Sequence, residues 1–206
     1  MSIAEAYNSW ANIYDTNENK TRDLDKKATI KTLSKYSFSK VLELGCGTGK
    51  NTAFLIKKAK NITGLDFSDE MLNKARKKIK SSKVNFIKTD LTHKWQVADN
   101  WFDLVTCSLT LEHIEDLNQI FKQAHQKLQI DGYFFVCELH PYKQYTGSKA
   151  RYETEKGVHV LQTYLHHLSD YLSAAQNQGF KLIEINEWFD NDEKQLPRLI
   201  SFVFQK

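Results

Sequence analysis

Three glycines at alternate positions, Gly45, Gly47 and Gly49, follow the apolar run Val41–Leu44, and Glu43 stands two residues before the first of them. A second run, Ile62–Asp66, ends on an acid. A strand that closes in such a loop exposes backbone N–H groups where a helix begins. Glycines let a ligand approach the backbone, because no Cβ intervenes. A helix N-terminus adds a field that favours negative groups. An acid at the end of the next strand can accept hydrogen bonds from both hydroxyls of a ribose. Together these features predict a nucleoside site at the carboxyl edge of a parallel sheet. A dinucleotide fingerprint has the spacing Gly-x-Gly-x-x-Gly with a pyrophosphate over the helix. The spacing here is Gly-x-Gly-x-Gly, and Glu43 would repel a pyrophosphate. It would suit a ligand with a positive amino group and a sulfonium centre.

The elements that must position these residues follow from pattern. Apolar strand-like runs near 40–45, 61–66, 83–88, 102–107 and 132–139 alternate with amphipathic stretches near 22–36, 49–59, 69–80, 116–129 and 168–178. Such alternation predicts βα units, a doubly wound, mostly parallel sheet and helices on both faces. Ser68 is the expected N-cap of the helix opening Asp69-Glu70, and Ser169 that of the last helix. The runs Phe180–Trp188 and Leu199–Phe204 are joined by polar Asp190–Gln195, a hairpin-like return that would add an antiparallel strand.

At 206 residues the chain is expected to form one domain, 1–206. Its net charge of +4 is mild, and the lysines of Lys57–Lys60 and Lys74–Lys80 read as solvated helix faces. No nucleic-acid partner is expected. The three cysteines lack Cys-x-x-Cys spacing, which argues against a zinc site or a disulfide framework. No metal is expected. With no apolar leader and no apolar run near 18 residues, a cytoplasmic enzyme is the expectation.

Two segments stand outside the regular core. Residues 1–20 carry Tyr7, Trp10 and Tyr14 among polar residues. Residues 140–167 carry Tyr142, Tyr145, Arg151, Tyr152, His166 and His167, and they emerge where ligands bind in doubly wound folds. A cap segment and a lid, both facing the substrate, are expected. His140 ends the fifth strand before Pro141, so its imidazole is the first candidate for a base, with His113 the second. Glu138 either points at the cleft or supports it.

Six segments in order carry a resemblance over nearly the whole chain: Glu-Leu-Gly-Cys-Gly-Thr-Gly (43–49), Gly-Leu-Asp-Phe-Ser (64–68), Lys-Thr-Asp-Leu (88–91), Phe-Asp-Leu-Val (102–105), Leu-Glu-His-Ile (111–114) and Asp-Gly-Tyr-Phe-Phe (131–135). The chain resembles class I S-adenosylmethionine-dependent methyltransferases of the small-molecule type, related in pattern to the ubiquinone/menaquinone group. The resemblance implies a Rossmann-like seven-stranded sheet of order 3-2-1-4-5-7-6 with the last strand antiparallel. It implies S-adenosylmethionine as cofactor and S-adenosylhomocysteine as product. Cofactor contacts would come from Glu43, Gly45, Cys46, Gly47, Thr48, Gly49 and Asp66. Phe67 and Met71 would cover the adenine, Asp90 would meet its amino group and Leu91 would border the ring. Ser108 and Leu109 would touch the methionine portion.

Methyl transfer to an oxygen, nitrogen or carbon of a small molecule is the first functional expectation. Base methylation is disfavoured, because Cys107-Ser-Leu-Thr-Leu replaces the Asn/Asp-Pro-Pro-aromatic segment that such enzymes resemble one another in. A protein substrate and a non-catalytic cofactor-binding module remain as alternatives. The glycine spacing opposes a nicotinamide-dependent oxidoreductase.

Overall fold

Strands form where the apolar runs lie. In the computed structural model these are β1 (Lys40–Leu44), β2 (Asn61–Asp66), β3 (Val84–Lys88), β4 (Phe102–Ser108), β5 (Leu128–Leu139), β6 (Arg151–Thr154), β7 (Gly157–Val160), β8 (Lys181–Phe189) and β9 (Pro197–Gln205). The structure describes residues 3–16, 18–148, 151–154, 157–190 and 196–206; the side chains of Ala4, Asn12, Ile13, Arg151–Thr154, Val158 and His159 lie outside that description. The main sheet has the order β3-β2-β1-β4-β5-β9-β8. β1 to β5 pair in parallel, and β9 is antiparallel to both β5 and β8. With the separate β6–β7 hairpin set aside, this is the order 3-2-1-4-5-7-6 that the resemblance implied.

Helices cover both faces: α1 (Ile3–Tyr14), α2 (Lys20–Leu33), α3 (Thr52–Leu55), α4 (Asp69–Lys78), α5 (Leu117–Lys127), α6 (Pro141–Tyr145) and α7 (Leu168–Asn177). Successive strand residues point to opposite faces, so neighbours divide between two cores. Leu42, Val105 and Phe134 pack on one side with Phe121 and Phe180, whereas Val41, Leu104 and Phe135 pack on the other with Leu33 and Leu55. The central strands are covered twice and read as continuous apolar runs.

Several boundaries differ from expectation for local reasons. The helix expected over 49–59 contracts to α3, because Gly49 sits at φ +78° and the N–H groups of Phe54 and Lys57 bond three residues back, in tighter turns. The fifth strand begins at Leu128, before Gly132, and accommodates Asp131 at φ 63° with a register shift against β4. The last helix is capped by His167, whose N–H donates to the Asp170 carboxylate at 2.7 Å, so Ser169 lies inside the helix rather than at its cap. Ser68 caps α4 as expected, accepting from the Met71 N–H at 3.1 Å. Most of Asp190–Gln195 lies outside the described residues.

The flanking segments contain regular elements, α1 in the first and α6 with the β6–β7 hairpin in the second. α1 buries Ala6, Trp10 and Ala11, and Leu161 packs with Ala6 and Trp10. Asn8 on α1 accepts from the Ser68 hydroxyl at 2.7 Å, which ties the N-terminal helix to the start of α4.

Candidate cofactor and acceptor site

The glycine loop joins β1 to α3 with Gly45 at φ 63° and Gly47 at φ 51°. A Cβ at Gly45 would stand 2.1 Å from the Thr110 hydroxyl, so the loop packs directly on the turn after β4. A Cβ at Gly47 would meet nothing within 4 Å and would project into open space. Asp66, at the end of β2, is buried and accepts from the Gly47 N–H at 2.8 Å through Oδ2 and from the Ser68 N–H at 2.9 Å through Oδ1. Burial pushes its carboxyl up to about 6, against the pull of those backbone donors.

Two adjoining lobes open around this loop, and a third lies beside them. The first is lined by Gly45, Gly47, Asp66, Phe67, Met71, Asp90, Leu91, Ser108 and Leu109, with Thr89, Thr92, Thr110, Ile114, Tyr7, Tyr14 and His113. It gathers the residues expected around a nucleoside at the ends of β1 to β4. Trp95, fully buried, donates to the Leu91 carbonyl at 3.0 Å and fixes the loop that carries Asp90 and Leu91.

The second lobe shares Gly45, Gly47, Ser108, Leu109 and Tyr14 and adds Glu43, Cys46 and Thr48. It also brings in Arg22, Asp25 and Asn51, which the sequence reading had not singled out. Arg22 and Asp25 lie three residues apart near the start of α2, hence on one helix face. The first turns of α2 thus reach this lobe; the pair's spacing was the available signal. The Arg22 guanidinium lies 4.0 Å from the Tyr14 ring and donates to the Tyr14 carbonyl. Glu43 accepts from the Thr52 hydroxyl at 2.5 Å; burial, with Asp25 and Asp66 nearby, pushes it up to about 8. Burial also raises Asp25. Gly49 lines none of the three lobes: it packs beside Thr52, Ala75 and Ile79 as a turn residue, a correction to its expected cofactor contact.

The third lobe, of about 420 Å³, meets the first at Tyr7, Tyr14 and Leu109. Trp10, Glu112, Leu139, Asn19, Thr21, Ser148 and Arg198 contribute to its walls. A 3₁₀ turn, Leu111–His113, forms one side. The extended stretch 161–167 straps this turn in place. Tyr164 N–H donates to the Glu112 carbonyl at 2.7 Å. His166 Nε2 donates to the carbonyls of Leu111 and Ile114 at 3.2 and 2.8 Å. His113 Nδ1 lies 3.0 Å from the Gln162 carbonyl, which can only accept, so Nδ1 carries the proton. Burial lowers the His113 pKa, while Gln162 opposes that shift. The neutral ring then offers Nε2 as an acceptor to the Tyr7 hydroxyl, 2.9 Å away. Burial and the neighbouring Tyr14 and Glu112 raise Tyr7, so it stays a phenol.

The remaining candidates divide. His140 does not line these lobes. Its Nδ1 accepts from the Tyr142 N–H at 3.1 Å as the cap of α6, and its Nε2 faces Glu187 on β8 at 3.2 Å. The expected position at the cleft mouth is therefore corrected: the strand ends there, but the ring turns toward the β8 edge. Tyr142 stays with α6, and Tyr145 pairs its hydroxyl with His167 Nδ1 at 2.8 Å, outside the lobes. His166 acts on the site only through the 3₁₀ turn. The side chains of Arg151 and Tyr152 lie outside the described residues. Glu138 supports the site, accepting from the Thr110 and Leu111 N–H groups at 2.9 and 3.0 Å.

Sheet order, glycine loop and the acid after β2 define a Rossmann-like α/β protein with a cavity at the carboxyl ends of its parallel strands. Residues 42–136 match the model of a methyltransferase domain. The chain is 26% identical to an uncharacterized methyltransferase of Emericella nidulans over 90% of its own length and 78% of that protein. It is 32% identical to the demethylmenaquinone methyltransferase of Lactobacillus johnsonii over 55% of its length and 49% of that protein. It thus spans about half the length of the demethylmenaquinone and ubiquinone-biosynthesis methyltransferases that it matches. An S-adenosylmethionine-dependent methyltransferase from Clostridium acetobutylicum shares the fold at a TM-score of 0.74 and 20% identity, covering 97% of this chain and 98% of that one. Residues 42–136 are thus similar to a methyltransferase domain, and the chain shares the fold of S-adenosylmethionine-dependent methyltransferases. Among the described residues no helix is long and apolar enough to cross a membrane.

Proposed function

We propose that the protein transfers a methyl group from S-adenosylmethionine to a small molecule, within the single domain 1–206. The observation that carries this reading is the pair of lobes around Gly47 with a third lobe beside them at Tyr7, Tyr14 and Leu109. The first lobe suits an adenosine, with Asp66 accepting from ribose hydroxyls and Asp90 facing the adenine edge. The second suits an amino-acid end: Arg22 can meet a carboxylate, and the buried Asp25 and Glu43 stand beside it for an ammonium. The third is left for the acceptor. The space that a Cβ at Gly47 would enter is where such a ligand must pass close to the backbone.

When bound, S-adenosylmethionine supplies an electrophilic methyl group on a sulfonium. The chain's own residues then hold and align. Tyr7, Tyr14 and Leu109 border both the cofactor and acceptor lobes, so they fix the approach along which transfer occurs. α1 covers the site and keeps water from it. Where the acceptor must lose a proton, the Tyr7 hydroxyl and the neutral His113 Nε2 form the path that receives it.

Calorimetry with S-adenosylmethionine, S-adenosylhomocysteine and NAD tests the cofactor assignment: the first two bind and NAD does not. Asp66→Ala removes a charged acceptor for ribose hydroxyls, and an affinity loss of about 1.5–3 kcal/mol is expected, roughly 10- to 150-fold. Unchanged affinity would sink the role of Asp66.

A further inference from the structure

The acceptor lobe contains a carboxyl group that the methyl-donor reading leaves unused. Glu112 is 8% exposed, lines the third lobe, and its Oε2 has no hydrogen-bond partner among the described residues. The 3₁₀ turn that carries it is held by three main-chain carbonyls, those of Leu111, Glu112 and Ile114, so the side chain is placed firmly. A buried acceptor atom without a donor costs about 1–3 kcal/mol, and a structural role would supply the donor. The two guanidinium groups of this lobe are engaged elsewhere, that of Arg22 by the Tyr14 carbonyl. Arg198 donates to both oxygens of Asp190 and to the Thr21 hydroxyl; Glu138 accepts from two backbone N–H groups through Oε1, and its Oε2 also has no partner among the described residues, but Glu138 does not line this lobe.

We propose that Glu112 binds the N–H of the methyl acceptor and that the acceptor is a small polar amine. The proposal rests on the methyltransferase reading above and names its substrate class. Tyr7, Trp10 and Tyr14 bring rings to the lobe, while Asn19, Thr21, Arg22, Ser148 and Arg198 make the rest of its walls polar; a phenol or quinol offers no positive charge to the Glu112 carboxylate. Burial pushes Glu112 up to about 7, which a cationic amine would relieve.

The chemistry balances with groups already present. A bound ammonium gives one proton to the Tyr7 oxygen as the Tyr7 proton moves to His113 Nε2. The freed nitrogen lone pair forms the N–CH3 bond. The C–S bond breaks with its electron pair left on sulfur, and the sulfonium becomes a thioether. Glu112 holds a remaining N–H throughout.

Methyl-labelled S-adenosylmethionine is incubated with the protein and deproteinised cell extract, and the position of the label in each product is assigned by fragmentation. Label on nitrogen supports the proposal. Label on oxygen or carbon alone overturns it while leaving the methyltransferase reading intact, and no labelled metabolite removes the small-molecule reading and this inference together. Ethanolamine, glycine and 2-phenylethylamine, with catechol as the phenolic arm, are then titrated into the S-adenosylhomocysteine complex. At least one amine should bind wild type, and Glu112→Gln should weaken it about tenfold or more while S-adenosylhomocysteine affinity stays within about twofold. Binding of catechol alone, of no amine, or equal amine binding by Glu112→Gln would overturn the assignment.

Discussion

The two halves of the site are built by different means. On the side of β1, β2 and β3, geometry comes from the backbone: positive-φ glycines, strand ends and one acid that accepts from two main-chain N–H groups. On the cap side, geometry comes from side chains and strands of chain far apart in sequence. Tyr7 meets His113, which meets Gln162, while His166 grips the turn at Leu111 and Ile114. The first half resides in a scaffold of buried parallel strands. The second hangs on single hydrogen bonds at the surface of that scaffold. The comparison teaches that one half of the site is set by backbone at strand ends, whereas the other depends on side chains brought together from distant parts of the chain.

The largest effect should come from the backbone half. Gly47→Val places a branched side chain in open ligand space and forces a φ of 51° on a β-branched residue. Cofactor binding should vanish in calorimetry. The left-handed conformation should cost about 1–2 kcal/mol of stability. Gly47→Ala, smaller but in the same direction, should give an intermediate affinity. If Gly47→Val binds as wild type does, the cofactor does not cross this loop.

On the cap side the same experiment should separate binding from turnover. His113→Ala removes the acceptor for the Tyr7 proton, and turnover should fall about 10²–10⁴-fold. Cofactor affinity should change little, since Asp66 and the glycine loop are untouched. A parallel loss of affinity and turnover would show that the cap holds the cofactor rather than the acceptor.

What could be read from the sequence follows the same division. Alternating apolar runs placed β1 to β4, β8 and β9 within a residue or two, but β5 starts four residues before the expected 132 and the β6–β7 hairpin was not expected; glycine spacing with Asp66 marked the loop around which the first two lobes open, because each is a local pattern. The order of the sheet came from resemblance alone. Arg22, Asp25 and Glu112 were missed because their significance arises from packing: the first turns of α2 reaching the second lobe, and a turn pinned by residues some fifty positions later. His140 illustrates the limit in reverse. Its position at the end of β5 was correctly placed by the strand, yet χ angles and the neighbouring Glu187 decided where the ring points.

Buried carboxyls link the two halves through pH. Glu43 and Glu138 are raised by burial to about 8, Glu112 to about 7 and Asp66 to about 6. Each folded value lies above the unfolded one, so the unfolded chain ionises first as pH rises and stability is lost through the folded pKa. His113, His125 and His140 are lowered, chiefly by burial, and act oppositely, gaining stability until about pH 6.5. Above that point the carboxyls dominate. Tm should therefore fall between pH 6.5 and 8.5, by about 2–4 °C for each kcal/mol lost. The Tm gain from S-adenosylhomocysteine should grow over the same range, because its ammonium favours ionised Asp25 and Glu43. Glu43→Gln should flatten the slope. A Tm that rises from pH 6.5 to 8.5 would contradict these shifts.

The smallest effect is expected at the residue whose sequence position promised the most. His140 caps α6 through the Tyr142 N–H and faces Glu187, and it touches no cofactor or acceptor lobe. His140→Ala should therefore cost about 0.5–2 kcal/mol of stability, the range for a lost N-cap. Turnover at saturating substrate and S-adenosylhomocysteine affinity should both stay within about twofold. His140→Asn can accept the same N–H through its side-chain carbonyl, and it should recover the lost Tm. If turnover instead drops a hundredfold with Tm unchanged, the ring must swing from Glu187 into the cleft during the reaction. The proton path would then run through β5 rather than through Tyr7 and His113. Measuring His113→Ala beside it decides between the two, since only one histidine should show a large fall in turnover with cofactor affinity preserved.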